Sequence, residues 1–274
     1  MASLAAFGAS DHKADQHADH KADGGASCCS QEQTEVRYSY LELKTPVPAS
    51  VVKGAVTGTI TFDGEAPKAD PLAIKEDAAK GCTDEGTKVD PTDRSLVLGK
   101  DGGIQNVVIT VKVKDAEVKV PEEPIKIDQM ACRYEPHVVL IPVGSTVAYL
   151  NSDKVSHNVH TYPGRNDAMN KTVAPGSSEK QVLKQADKIE VKCDIHPWMN
   201  AYMFVTDAPY SAVTAADGSF SIEGLPAGEY KAELWHEKLG KQKGIKITVN
   251  EDGSCEPLAL KMGAEKKKKG RGRR

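Results

Sequence analysis

The sequence predicts an all-β protein of the sandwich type. Short β-branched runs recur along the chain, each bounded by Pro, Gly, Asn or Asp. Glycine (23 residues) and proline (15) are frequent, which suits strands joined by turns better than long helices. Apolar residues make up 39% and aromatics only 5%, so the core is expected to be built from Val, Ile, Leu and Ala with few rings. At 274 residues the chain has room for one large domain or two small ones.

Residues 1–50 read as a disordered leader, polar and almost free of periodic apolar positions. Within it Asp11-His12-Lys13-Ala14-Asp15 returns as Asp19-His20-Lys21-Ala22-Asp23, and His17 lies between the copies. Such a tract can hold metal weakly, although a solvated low-complexity leader is the plainer reading. The small-residue stretch at 4–9 lacks the basic flank and apolar length of an export signal, and reads as the end of a truncated signal or as an ordinary flexible start.

Order is expected from about residue 51. A strand at 52–62 runs into the turn Asp63-Gly64, and 67–93 is irregular with one helical turn near 73–79. A strand at 104–113 follows Gly102-Gly103. Strands are then expected at 125–130, 138–141, 146–150, 157–162, 178–183, 188–193 and 201–206, a spacing that indicates a sandwich or barrel. After Pro209-Tyr210 come strands at 220–222, 229–236, 244–250 and 258–261. Four strands in some fifty residues bury little surface alone, so 52–62 and 104–113 are candidates to complete their sheet. Residues 263–274 form a basic tail expected to be disordered. Lys266 to Arg274 holds four Lys and three Arg, and without these seven the chain has 29 basic against 39 acidic residues, a balance of −10 instead of −3. The tail is read as solvated, with contact to an anionic surface as the alternative.

The densest chemistry is the run Cys193-Asp194-Ile195-His196-Pro197-Trp198-Met199, with His157 upstream in Ser156-His157-Asn158-Val159-His160. Two imidazoles, a thiolate and a weak thioether are the donor set of an electron-transfer copper site. Thiolate favours Cu(I), imidazole serves both oxidation states, and a long axial thioether adjusts the potential. Zinc could take the same donors, but the soft methionine favours copper. The alternative is a buried Cys, a surface His and a core Met that fall together by accident. Of the other cysteines, Cys82 and Cys132 lie between extended segments and are the expected disulfide pair, which would indicate an oxidising compartment; spacing alone does not settle the pairing. His137 beside Cys132 reads as a packed histidine before a second metal site, and His160 as a surface or supporting residue. Trp198 could form an apolar docking patch around His196 or simply pack its loop. Trp235-His236-Glu237 reads as sandwich packing.

These residues resemble a cupredoxin, the type 1 blue copper fold. The spacing Cys-x2-His-x2-Met, with Pro after the His and an aromatic before the Met, is similar to amicyanin more than to plastocyanin, as is His157-Asn158-Val159-His160. The resemblance covers about 121–206 and implies copper, one ion cycling between Cu(I) and Cu(II), held by His157, Cys193, His196 and Met199. It implies that Asn158 ties the two ligand loops together, that Pro197 supports the site, and that the His on the Cys loop keeps one edge near solvent as an electron port. Gly218-Ser219-Phe220 through Leu225-Pro226-Ala227-Gly228-Glu229-Tyr230 resembles a carboxypeptidase-regulatory-like (transthyretin-like) β-sandwich module over 207–262, with the strands of 51–120 packing against it.

The function expected is that of an exported copper protein, periplasmic or extracellular, passing single electrons between a donor and an acceptor redox protein. A copper-storage protein and a metal-free β-sandwich scaffold are the alternatives. The site type fills its coordination sphere, and no phosphate loop, serine elbow or paired acid motif stands out, so an enzyme is not expected. No nucleic-acid partner is expected, and no window approaches the ~18 apolar residues of a membrane span.

Overall fold

The computed structural model describes residues 54–263 apart from 69 and 86. The leader with its histidine repeat, the first residues of the expected 52–62 strand, and the basic tail beyond Gly263 lie outside the described residues. The described chain is all-β, with one short 3-10 turn at Glu76–Ala79. No helix among the described residues is long and apolar enough to cross a membrane.

Sixteen strands follow in order: β1 (Ala55–Phe62), β2 (Val108–Val111), β3 (Ile125–Met130), β4 (Arg133–Glu135), β5 (Val138–Pro142), β6 (Thr146–Asn151), β7 (His157–Tyr162), β8 (Asn170–Val173), β9 (Ser178–Val182), β10 (Asp187–Lys192), β11 (Asn200–Thr206), β12 (Tyr210–Val213), β13 (Ser219–Glu223), β14 (Gly228–His236), β15 (Gly240–Val249) and β16 (Leu258–Met262). They form four sheets: β13-β1-β16, β12-β2-β14-β15, β5-β11-β10-β7-β8 and β4-β3-β6-β9. The first two enclose a core that includes Val56, Ile60, Ile109, Phe220, Leu234 and Ile247. The last two enclose another that includes Ile127, Tyr149, Val159, Ile189, Met203 and Cys193. The chain thus builds two strands of one sandwich, crosses to build the whole of the other, and returns. β12 re-enters beside β2, with Tyr210 opposite Val111.

Alternation explains most strands. In β11 the pattern Ala201, Met203, Val205 points into the core while Tyr202 and Phe204 point away. Those two rings are not left in water. They meet Trp235 of β14 at centroid distances of 5.8 and 5.3 Å, and with Val108, Val138 and Leu140 they make the apolar junction between the sandwiches. At the same junction the His137 and Glu237 side chains, both nearly fully buried, pair across it. One close approach requires glycine. A Cβ on Gly103 would sit 1.9 Å from the Asp217 carbonyl, and neighbouring Gly218 has φ +79°.

The structure departs from the sequence expectations at five places. β2 covers 108–111 and not 104–113, because Asn106 turns the backbone left-handed at φ 67° and leaves Ile104 only an isolated bridge to Leu98. β4, β8 and β12 are strands that the sequence pattern missed. They are three or four residues long; β4 and β8 pair with the longer β3 and β7, and β12 with the equally short β2. Within 51–120, the part at 72–89 does not join the C-terminal strands. Leu72, Ile74, Ala79, Cys82 and Val89 pack against the core around Cys193 instead.

Candidate metal centre

β7 and β10 lie side by side and antiparallel, with His160 opposite Lys192, so the start of β7 faces the chain just beyond the end of β10. His157 opens β7 and Cys193 follows β10 directly. The loop 193–199 then closes on itself: the Cys193 amide donates to the Met199 carbonyl (3.2 Å), and the Met199 amide donates to the His196 carbonyl (2.8 Å). Two further contacts lock the strands. The buried Tyr134 hydroxyl lies 2.5 Å from the Asn158 carbonyl and 3.0 Å from the Lys192 carbonyl, one residue from His157 and from Cys193. Burial pushes the Tyr134 pKa far above its ordinary value, so the hydroxyl stays a donor. Asn158 bridges the loops, its amide donating to Cys193 Sγ (3.3 Å) and its Oδ1 accepting from the Asp194 amide (3.2 Å).

Three donor atoms converge. His157 Nδ1 lies 3.0 Å from His196 Nδ1, Cys193 Sγ lies 3.7 Å from the same His196 nitrogen, and the three donors fall within 4.8 Å of one another. Their residues are 0%, 5% and 2% exposed for His157, His196 and Cys193. Bond lengths of about 2.0–2.1 Å for nitrogen and about 2.3 Å for sulfur allow one ion to serve nitrogens up to roughly 4 Å apart and a nitrogen–sulfur pair up to roughly 4.3 Å apart. Both measured separations fit. Two imidazole nitrogens that face each other need a proton or a cation between them.

Asp153 sets which nitrogen of His157 is free. Its carboxylate lies 2.7 Å from His157 Nε2 and is itself nearly buried, which fixes the proton on Nε2 and leaves Nδ1 to point at the cluster. Asp153 also accepts the backbone amides of Ala131 (2.6 Å) and Cys132 (2.8 Å), both held at φ 50°. A left-handed pair without glycine is costly, and the carboxylate supplies its hydrogen bonds. Desolvation opposes protonation of His157, but the Asp153 and Cys193 contacts outweigh it and raise its pKa. Burial likewise opposes ionisation of Cys193, yet its contacts with His157 and His196 and the hydrogen bond from the Asn158 amide bring its pKa down to about 6. The cluster therefore favours thiolate, the form that binds metal. Asp153 was missed in the sequence. Its signal is its place four residues before His157, in the turn that leads to that strand.

Met199 is fully buried in the same apolar core as Cys193. Pro197 is exposed. Two expectations are corrected here. His196 is only 5% exposed, because Trp198 packs on it at 5.3 Å and Cys82 of the 72–89 segment lies beside it. Trp198 presents no docking face: it is 8% exposed and its indole N–H donates to the Cys132 carbonyl at 3.1 Å. The large apolar side chain that the loop shows to solvent is Ile195, 49% exposed. His160 sits at the surface, 3.1 Å from the Asp194 carboxylate and stacked on Tyr162. His137 is a packed histidine, held by Glu237 and the Asn200 carbonyl and not by a metal group.

Cys82 and Cys132 are disulfide-bonded, with a Cα–Cα distance of 5.1 Å across 50 residues of sequence. The bond anchors the 72–89 segment beside the histidines. Cys132 Sγ lies 3.9 Å from His157 Nε2, and the sulfurs of Cys82 and Cys132 and a nitrogen of His196 all lie within 4.8 Å of one another.

No protein-family model matches the chain, and no curated protein sequence matches it. Among solved structures it is similar to a purple cupredoxin from Nitrosopumilus maritimus, at 24% identity over 30% of this chain and 99% of that one, with a TM-score of 0.27. A reduced mutant of amicyanin matches at 23% identity over 36% of this chain and 98% of that one, with a TM-score of 0.29. A copper-containing nitrite reductase from Thermus scotoductus SA-01 matches at 20% identity and a TM-score of 0.30; 35% of this chain is covered, and it spans about a quarter (25%) of that protein. With TM-scores this low, none of the three bears on the chemistry of the site.

Proposed function

We propose that the chain is a mononuclear type 1 copper protein of the cupredoxin kind, one that carries single electrons and is not an enzyme. The observation that carries the reading is the convergence of His157 Nδ1, His196 Nδ1 and Cys193 Sγ on one buried point, with Asp153 fixing the tautomer of His157. Copper bound there would supply one-electron cycling between Cu(I) and Cu(II). The residues do the rest. His157, His196 and Cys193 would hold the ion, and buried Met199 is the candidate for a fourth ligand. Asn158 and Tyr134 keep the two ligand strands at fixed spacing, and the apolar packing of Trp198 and Val159 excludes water. Ligands that do not rearrange between oxidation states favour fast electron exchange.

In this reading residues 121–206 form the copper-bearing domain, inserted into a sandwich built from strands on either side of it in sequence. That outer sandwich is carboxypeptidase-regulatory-like on its turn pattern. A donor and an acceptor redox protein are the partners, and the disulfide suits an exported, oxidising location. The burial of His196 favours one competing reading, a protein that stores copper without cycling, because the imidazole edge expected to meet a partner is covered.

The test is optical. Protein loaded with Cu(II) should show an intense thiolate-to-copper charge-transfer band that bleaches on reduction and returns on oxidation. A colourless copper complex would leave the storage reading, and a protein that takes up no copper would end both.

A further inference from the structure

Two sulfur atoms stand beside the three donors and have no part in the reading above. In the disulfide they are poor ligands; as thiolates they would be strong ones. Cys82 Sγ, Cys132 Sγ and a His196 ring nitrogen lie within 4.8 Å of one another, and all three residues are buried. Cys132 is fixed by its strained turn, whose amides are held by Asp153. Cys82 lies on a segment whose 3-10 turn buries no residue and whose side-chain ties to the rest of the chain include the exposed pair Lys154–Asp84. A cleft of about 510 Å³ lined by Leu72, Ile74, Ala79 and Val89 lies beside it.

We propose that opening the Cys82–Cys132 disulfide creates a second soft-metal site, held by the thiolates of Cys82 and Cys132 beside His196 and taking a monovalent ion such as Cu(I), which two thiolates can hold without a third ligand. The chemistry balances as thiol–disulfide exchange. An external dithiol gives two electrons and two protons to the bond, becomes a disulfide itself, and leaves two thiols, each of which releases its proton when it binds the ion. Two thiolates in an apolar, water-poor setting select a soft ion over a hard one. Oxidation of the pair removes both donors, so the second ion is held only by the dithiol state. The inference rests on the proposed function only in counting one ion per chain as the starting point.

The experiment counts Cu(I). The full chain carrying Cys28→Ser and Cys29→Ser, which removes the leader's thiols, is titrated with Cu(I) against a chromogenic Cu(I) chelator. It is titrated before reduction, after reduction and removal of the reductant without air, and after reoxidation. One ion per chain is expected with the disulfide closed, two with it open, and one again on reoxidation. Adding Cys82→Ser and Cys132→Ser should hold the count at one in every state, and Cys193→Ser in the parent should still gain one ion on reduction. An unchanged count on reduction overturns the proposal even if the added substitutions prevent folding, because that arm does not need them. A gain that survives Cys82→Ser and Cys132→Ser overturns it as well. No ion with the disulfide closed but one with it open would end the proposed function and leave this inference standing.

Discussion

Two pairs of buried histidines lie among the described residues, and only one of the two looks like a metal centre. His157 and His196 turn Nδ1 towards Nδ1 at 3.0 Å with a thiol 3.7 Å away. His137 and His236, at the junction of the sandwiches, are as deeply buried. There, however, the nitrogens are spoken for. His137 is held by Glu237 and the Asn200 carbonyl, and His236 Nδ1 accepts the Lys238 amide at 3.2 Å. Residue type and burial are alike in the two pairs. What differs is where the lone pairs point, at one another or at partners that satisfy them. Convergence of unsatisfied donors, not their number, marks the candidate site.

The strongest break of this comparison is Cys193→Ser. It should abolish the charge-transfer colour of the Cu(II) protein altogether, read by visible absorption, while the junction histidines stay as they are. A variant that keeps the band would remove the thiolate from the site.

Acid should single out the other pair. Burial lowers the His236 pKa to about 4, with the charge of His137 adding to the effect against a hydrogen bond at the Gln105 backbone. In the unfolded chain it titrates near 6.5, so between about pH 6.5 and pH 4 the unfolded state binds more protons and stability falls as pH falls. The loss across that window should be on the order of 3 kcal/mol. Denaturant melts of His236→Gln should show a flatter profile than the native chain over the same range, and parallel profiles would refute the assignment.

Glu237→Ala strips His137 of its partner. The cost should be about 1–3 kcal/mol in unfolding free energy, with copper uptake unchanged. If uptake fell with stability, the two histidine pairs would be coupled rather than separate. Asp153→Asn acts on the first pair only. Loss of the carboxylate behind His157 should weaken copper binding about 10–100-fold, measured by competition with a chelator, and an unchanged affinity would deny Asp153 its orienting role. The smallest effect belongs to the exposed Lys154–Asp84 pair. Lys154→Ala should leave the melting temperature unmoved, and a clear drop would mean the segment over the site is held at that point.

Much of the site was legible because its donors are close in sequence. Three of the four lie in one seven-residue loop, and periodic strands flank it at 188–193 and 201–206. The cover was not legible. Nothing in the run from Leu72 to Val89 announces that it packs over His196, because that contact is made across more than a hundred residues and through a disulfide whose pairing spacing could not settle. For the same reason the sequence left Trp198 open between a docking patch and loop packing. The aromatic position was visible, but not what would lie over it. Of the strands, those that alternate cleanly were readable. β8, whose Asn170, Lys171 and Thr172 are all exposed, carries no period of its own and exists because β7 offers it an edge.

The return of β12 beside β2 has a practical consequence. Tyr210 and Val111 face each other in antiparallel register, so the nearly one hundred residues between them leave and rejoin the outer sandwich at one spot. Excising them and joining the cut ends with a short turn would make β2 and β12 a plain hairpin, with no strand of the host sheets changing its neighbour. By the same token, other folds whose ends lie equally close together could be grafted at that seam.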